Sequence, residues 1–156
     1  MKSKKLLSII LALAMMFSVL PASTVLVYAD VITETISADT TWNDGDTVGG
    51  VTISGGTVTI NGNVGITAAI TIKGDVTFTG GGTLNRMSPS GNLIKVESGS
   101  LTLNNVTIDG NNVTISDSWT AAAINMADGT VIMNDGAKIT NHKRTDRKST
   151  RLNSSH

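Results

Sequence analysis

The chain has 156 residues, no cysteine, and twelve basic side chains against twelve acidic ones. That length allows a single domain, and without cysteine no disulfide framework can stabilise it. The charge balance is a product of the two ends: between Asp30 and Ala137 eleven acids face only Lys73, Arg86 and Lys95, a net −8. A body of that sign repels polyanions, and no cluster of cations offers nucleic acid a footing.

The first segment is read as a secretory signal peptide, residues 1–29. Met1-Lys2-Ser3-Lys4-Lys5 is a positive start, Leu6 to Leu20 is an almost unbroken apolar run, and Val27-Tyr28-Ala29 has the small-residue pattern of a cleavage site. As a helix the run would reach only about 22 Å, short of the roughly 30 Å hydrocarbon core, and Pro21 stops it lengthening. The start resembles export signals of Gram-positive bacteria. The expected location is therefore secreted, extracellular or at the cell surface, with membrane contact only through this signal.

Residues 30–47 are expected to be a polar lead-in or N-terminal cap with Trp42 as its one aromatic group. Strands follow. Apolar–Thr–apolar triplets occur at Val51-Thr52-Ile53, Val58-Thr59-Ile60, Ile70-Thr71-Ile72, Val76-Thr77-Phe78, Leu101-Thr102-Leu103, Val106-Thr107-Ile108 and Val113-Thr114-Ile115. Period two with β-branched residues predicts strands with one buried face, two side chains in and the Thr out. Gly-Gly, Asn-Gly, Asp-Gly and Ser-Gly pairs between them turn the chain.

A longer period lies above the triplets. The blocks starting at Gly56, Gly74, Gly99 and Gly129 share one pattern, with glycines 18, 25 and 30 residues apart. Ile94 to Asn104 also maps position by position onto Ile124 to Asn134. Asn61-Gly62 and Asp109-Gly110 would suit hairpins of an antiparallel sandwich, but the translation favours like stacking on like in a parallel solenoid over residues 48–142. The expected class is all-β, a parallel β-helix of few coils preceded by the signal-peptide helix.

The phrase from Gly99 to Gly110 (GSLTLNNVTIDG) resembles coils of right-handed parallel β-helix proteins of the pectin-lyase-like group, and more narrowly bacterial cell-surface and adhesin-type proteins. The resemblance implies a right-handed solenoid. It does not imply one activity, since that group includes polysaccharide lyases, glycoside hydrolases, phage tailspikes and non-catalytic surface proteins.

Candidate chemistry is sparse. Asn61, Asn104 and Asn134 hold one repeat position and are read as an internal amide ladder. The outward Thr residues resemble the Thr–X–Thr files of ice-binding proteins at Thr57-Val58-Thr59 and Thr77-Phe78-Thr79. Later copies lose the pair, and β-propensity alone accounts for Thr in these strands. Asp44, Asp46, Asp109, Asp117, Asp128 and Asp135 read first as turn residues, fitting no calcium-loop motif. Lys73, Arg86 and Lys95 look like solvated surface charges. The paired Asp and Gly-His-Gly turn of the related galacturonases are absent from the sequence. No catalytic, cofactor-binding or metal-binding residue is assigned, and no cofactor is expected. Of the two tryptophans, Trp119 in Ser116-Asp117-Ser118-Trp119-Thr120 is the candidate carbohydrate contact, with Trp42 read as a cap if buried.

From Lys143 to His156 apolar periodicity vanishes. The last eleven residues resemble a tail that adaptor or vector DNA places on unrelated translated sequences, so 143–156 is expected to be a disordered, non-native tail, with further native coils and a cap missing beyond it. Without that cap the last coil is expected to be open and prone to aggregate. The expected function is a non-catalytic structural or adhesive module. Its partner is an extracellular polysaccharide or a host or cell-surface ligand, and nucleic acid is not a partner. The alternative is the N-terminal part of a polysaccharide lyase or glycoside hydrolase whose catalytic coils lie downstream.

Overall fold

A computed structural model describes residues 31–115 and 121–144, and every regular element among them is a strand. Three parallel sheets contain nearly all of them. Sheet A stacks β1 (Val31–Ile32), β4 (Thr47–Val48), β7 (Asn63–Ile66), β10 (Thr83–Arg86), β13 (Thr107–Asp109) and β17 (Lys138–Thr140). Sheet B stacks β2 (Thr35–Ile36), β5 (Thr52–Ile53), β8 (Ile70–Ile72), β11 (Ile94–Val96) and β15 (Ile124–Met126). Sheet C stacks β3 (Thr40–Trp42), β6 (Gly56–Ile60), β9 (Val76–Thr79), β12 (Ser100–Leu103) and β16 (Thr130–Met133). A short parallel pair joins β14 (Thr114–Ile115) to β18 (Lys143–Arg144).

The chain visits A, B and C in turn, and each strand pairs with its counterpart one coil away. This is the stacking of a β-helix. No hairpin forms at Asn61-Gly62 or Asp109-Gly110, because both dipeptides pass the chain between parallel strands. The segment 31–46, expected as a lead-in or cap, forms strands of its own: Val31↔Thr47, Thr35↔Thr52 and Thr40↔Val58 are paired, so it stacks as the first coil. Residues 1–30, 116–120 and 145–156, which include the signal segment, Trp119 and most of the expected tail, lie outside the described residues.

The alternation expected from the triplets holds residue by residue. In β8 Ile70 and Ile72 are buried while Thr71 faces out; β6, β9, β11 and β12 repeat the pattern. Stacking converts these positions into continuous files. Val51, Ile70, Ile94 and Ile124 form one, Ile36, Ile53, Ile72 and Val96 another. Each side chain is covered by its equivalents above and below, so burial comes from neighbouring coils rather than from its own. Trp42 is 1% exposed and packs on Phe78, ring centroids 6.0 Å apart, which removes it as a sugar-stacking surface.

One register differs from the sequence alignment. The glycine blocks align Gly56 with Gly74, yet Val58 pairs with Phe78 and Thr57 with Thr77, an offset of 20 rather than 18. A shift of two leaves every side chain on the same face, so the hydrophobic pattern gave no warning of it. The later offsets of 25 and 30 stand, with Leu101 on Val76 and Ser100 on Thr130. In those coils the glycines themselves stack: a Cβ at Gly99, where φ is +75°, would strike the backbone of Gly74.

The inward positions of the last described coil are open. Met126 is 57% and Met133 47% exposed, and Ile124, Met126 and Val131 border an open apolar depression of about 520 Å³. We expect Phe78→Ala, which empties a file between two coils, to cost about 3–5 kcal/mol. Thr77→Ala, one residue away on the outer face, is expected to cost about 1 kcal/mol or less. Urea titration of the two variants checks the assignment; equal losses would contradict it.

Candidate functional site at the A to B corner

Three corners join the sheets, and only one of them grows. The A-to-B connection lengthens from 33–34 to 49–51, 67–69 and 87–93, and the last span, 110–123, holds β14 and five residues outside the described ones, while the B-to-C turns stay as short as 37–39 and 127–129. Length at one corner leaves the sheets in register and accumulates irregular backbone along one edge of the rod. Irregular backbone there needs partners for its amides and carbonyls.

Arg86 supplies them. It follows Ile32, Val48 and Ile66 along an inward file of sheet A, and it is 1% exposed. Its guanidinium donates from Nη1 to the carbonyls of Gly91 (2.9 Å) and Ser88 (3.3 Å), and from Nη2 to that of Ala122 (3.0 Å). One side chain thus fastens two successive loops. Asn92 completes the clasp, its Oδ1 accepting the Ala122 amide at 3.0 Å, and Leu93 N donates to Ala122 O. The expectation that Arg86 is a solvated surface charge is therefore wrong: its place in the period-two pattern, inward after Leu84, was the signal that could have shown it.

No carboxylate among the described residues pairs with this cation, and its Nε has no partner. Burial pulls its affinity for the proton below the usual guanidinium value. His142 lies close enough to feel the charge. Its two ring nitrogens are buried and unpartnered, and its pKa falls below the ordinary imidazole value, first through burial and then through the positive charge of Arg86. The Ile108 carbonyl and the Asp109 carboxylate oppose the shift without reversing it.

Beside the corner, on the outer face of sheet A, lies an open depression of about 410 Å³. Gly65 forms its floor, and Asp46, Asn63, Asn85, Met87 and Asn111 its walls. Asn85 Nδ2 reaches Asn63 Oδ1 at 3.5 Å, Asn63 Nδ2 reaches Asp44 at 3.3 Å, and Asn111 Nδ2 donates to Arg86 O at 3.4 Å. Met87, 57% exposed, adds an apolar rim. Asn85 and Arg86 end β10, and the loop proper starts at Met87.

Of the candidate carboxylates, four accept backbone amides and Asp117 lies outside the described residues. Asp44 accepts the Asn63 amide (2.7 Å), Asp46 that of Asn43 (2.7 Å), Asp109 that of Asn111 (2.6 Å) and Asp128 that of Gly129 (2.8 Å). Among the described residues no three His, Asp or Glu side chains gather as metal ligands. Lys95 and Lys73 both meet Glu97, at 2.6 and 3.5 Å, and the Lys95 hydrogen bond leads in holding its carboxyl below the usual range. The Asn ladder exists only between Asn104 and Asn134, at 2.5 Å on the surface rather than inside. Asn61 is excluded by the same two-residue shift that moved Gly56. Trp119 lies outside the described residues.

No known family model, curated protein or solved structure matches the chain.

Arg86→Ala is expected to cost about 2–3 kcal/mol, as hydrogen bonds from a charged donor are lost. Amide exchange should quicken first at Leu93 and Ile94, whose N–H groups bond to the second loop; unchanged exchange there would refute the clasp. Because the His142 pKa is lowered in the fold, the unfolded chain takes up its proton first as pH drops. Its contribution is complete above pH ~6.5 and is lost as pH falls below that value. His142→Leu should flatten the pH dependence of the urea midpoint across that window, and a slope unchanged from the parent would refute it.

Proposed function

We propose that this chain is an exported, non-catalytic β-helix module of a bacterial cell-surface or adhesin-type protein, right-handed like the pectin-lyase-like solenoids it resembles. Met1 to Ala29 directs its export. The observation that carries this reading is the growth of the A-to-B connection alone, where a buried arginine fastens loop to loop. A rod with constant walls and one elaborated edge separates support from recognition.

The partner that suits the edge is an uncharged extracellular polysaccharide on the bacterial, host or other cell surface. Amide side chains and an exposed thioether offer hydrogen bonds and apolar contact, whereas the acidic body disfavours anionic chains. Trp119 falls within the sequence of the longest loop, and its indole is the residue assigned to stack on a sugar ring.

Pull-down of the purified chain on neutral and anionic polysaccharides, with reducing ends assayed with and without calcium, tests this. The expected outcome is retention on a neutral polymer without shortening it, weakened about 3–10-fold in Trp119→Ala. Release of oligosaccharides would instead favour the lyase or hydrolase reading, and no retention on any polymer would overturn the carbohydrate assignment.

A further inference from the structure

The outer face of sheet C carries a lattice that the sequence alignment conceals. Aligned by its glycines, Thr59 would sit over Thr77 and Thr57 over Asp75. The observed register instead places Thr57 on Thr77 and Thr59 on Thr79, so the two Thr–X–Thr pairs stack directly. Thr102 continues the first file above Thr77, and Thr41 continues the second below Thr59. Six threonines thus form two adjacent files across four coils.

Three properties distinguish this face. None of the six hydroxyls hydrogen-bonds within the protein, although Thr67 on another corner bonds to Val48 O. No charged side chain interrupts the files; the Asp39 carboxylate that borders the first is engaged by the Thr57 amide at 2.8 Å. The backbone beneath is rigid, because Val58, Ile60, Val76, Phe78, Leu101 and Leu103 behind it are at most 1% exposed. β-branching restricts χ1, so hydroxyl and methyl positions repeat with the backbone.

That repeat is about 4.8 Å between coils and about 6.6 Å along each strand. The coil spacing is close to the shorter of the two perpendicular oxygen repeats on the prism face of hexagonal ice, and the along-strand spacing is roughly a tenth below the longer one. Water held at hydroxyls and around methyls on such a grid is ordered before any ice arrives. We infer that the threonine face of sheet C binds ice, its ligand being the ordered water lattice itself. Charge complementarity is not needed, since the files are neutral. Loss of the pattern at Asn104 in the fourth coil and at Ile132 in the fifth bounds the two files. The inference is independent of the carbohydrate edge, which lies at another corner.

The test is thermal hysteresis and ice-recrystallisation inhibition by the full chain, with far-UV circular dichroism as the check on folding. The parent should hold ice growth below the melting point and shape the crystals. Thr59→Lys and Thr77→Lys, at the centre of the files, should abolish both effects. Thr41→Lys, at an exposed position that tolerates a long side chain, should reduce them even if a central variant fails to fold. Thr71→Lys, on the outer face of sheet B, should retain them in full. The inference is overturned if the parent behaves like an unrelated protein of equal charge, if folded Thr41→Lys is unimpaired, or if Thr71→Lys loses as much as the sheet C variants.

Discussion

Burial in this molecule is a relation between coils. A triplet such as Ile70-Thr71-Ile72 turns two aliphatic side chains inward, but within a single turn of the chain they would meet little besides each other. Covered by Ile94 and Val96 on one side and by Val51 and Ile53 on the other, they leave water completely. Parallel pairing in register is what allows this, since it sets like beside like and satisfies the backbone in the same step. Everything else in the architecture respects that constraint. Turns between B and C remain short, glycines stack where a Cβ would collide, and length is inserted only where it leaves the strands aligned.

Arg86 shows what happens when the constraint meets a growing loop. Its position belongs by register to the file of Ile32, Val48 and Ile66, and an aliphatic residue there would leave loop carbonyls without donors. A guanidinium satisfies three of them, yet brings in a charge that no carboxylate among the described residues pairs with. Removing a cation from water is costly, and carbonyl dipoles offset only part of that. Such a residue specifies loop conformation more than it adds stability. Its field adds to burial in holding the His142 imidazole below its ordinary pKa.

Much of the fold was legible in the sequence, and the limits of legibility have physical causes. Val58-Thr59-Ile60 and its relatives declare strand and facing, because period two is a local property of the chain. The 30-residue translation from Ile94 to Ile124 declares parallel stacking, because only a solenoid places identical segments side by side. The offset between the second and third coils was not legible. Slipping by two preserves facing, and glycine at Gly56 or Gly74 serves a turn equally well, so composition is silent between the registers. The role of Arg86 was hidden for a different reason: its partners are carbonyls, which leave no mark in the side-chain sequence. Trp42 was read from its polar neighbours, yet Phe78 and Ile60, far along the chain, bury it.

The slip of two has a consequence larger than its size. Shifted back, the outer face of sheet C would set Asp75 beside Thr57 and break one file with a charge. In the register observed, Asp75 accepts from Ser100 at 2.7 Å outside the two files, and the threonines close ranks. In this register Phe78 lies over Val58 and beneath Leu103, and against Trp42. One register thus fixes both the packing inside and the chemistry presented outside. Because the two faces of a strand are rigidly coupled, a lattice on the surface needs no separate device to hold it. It inherits its order from the core.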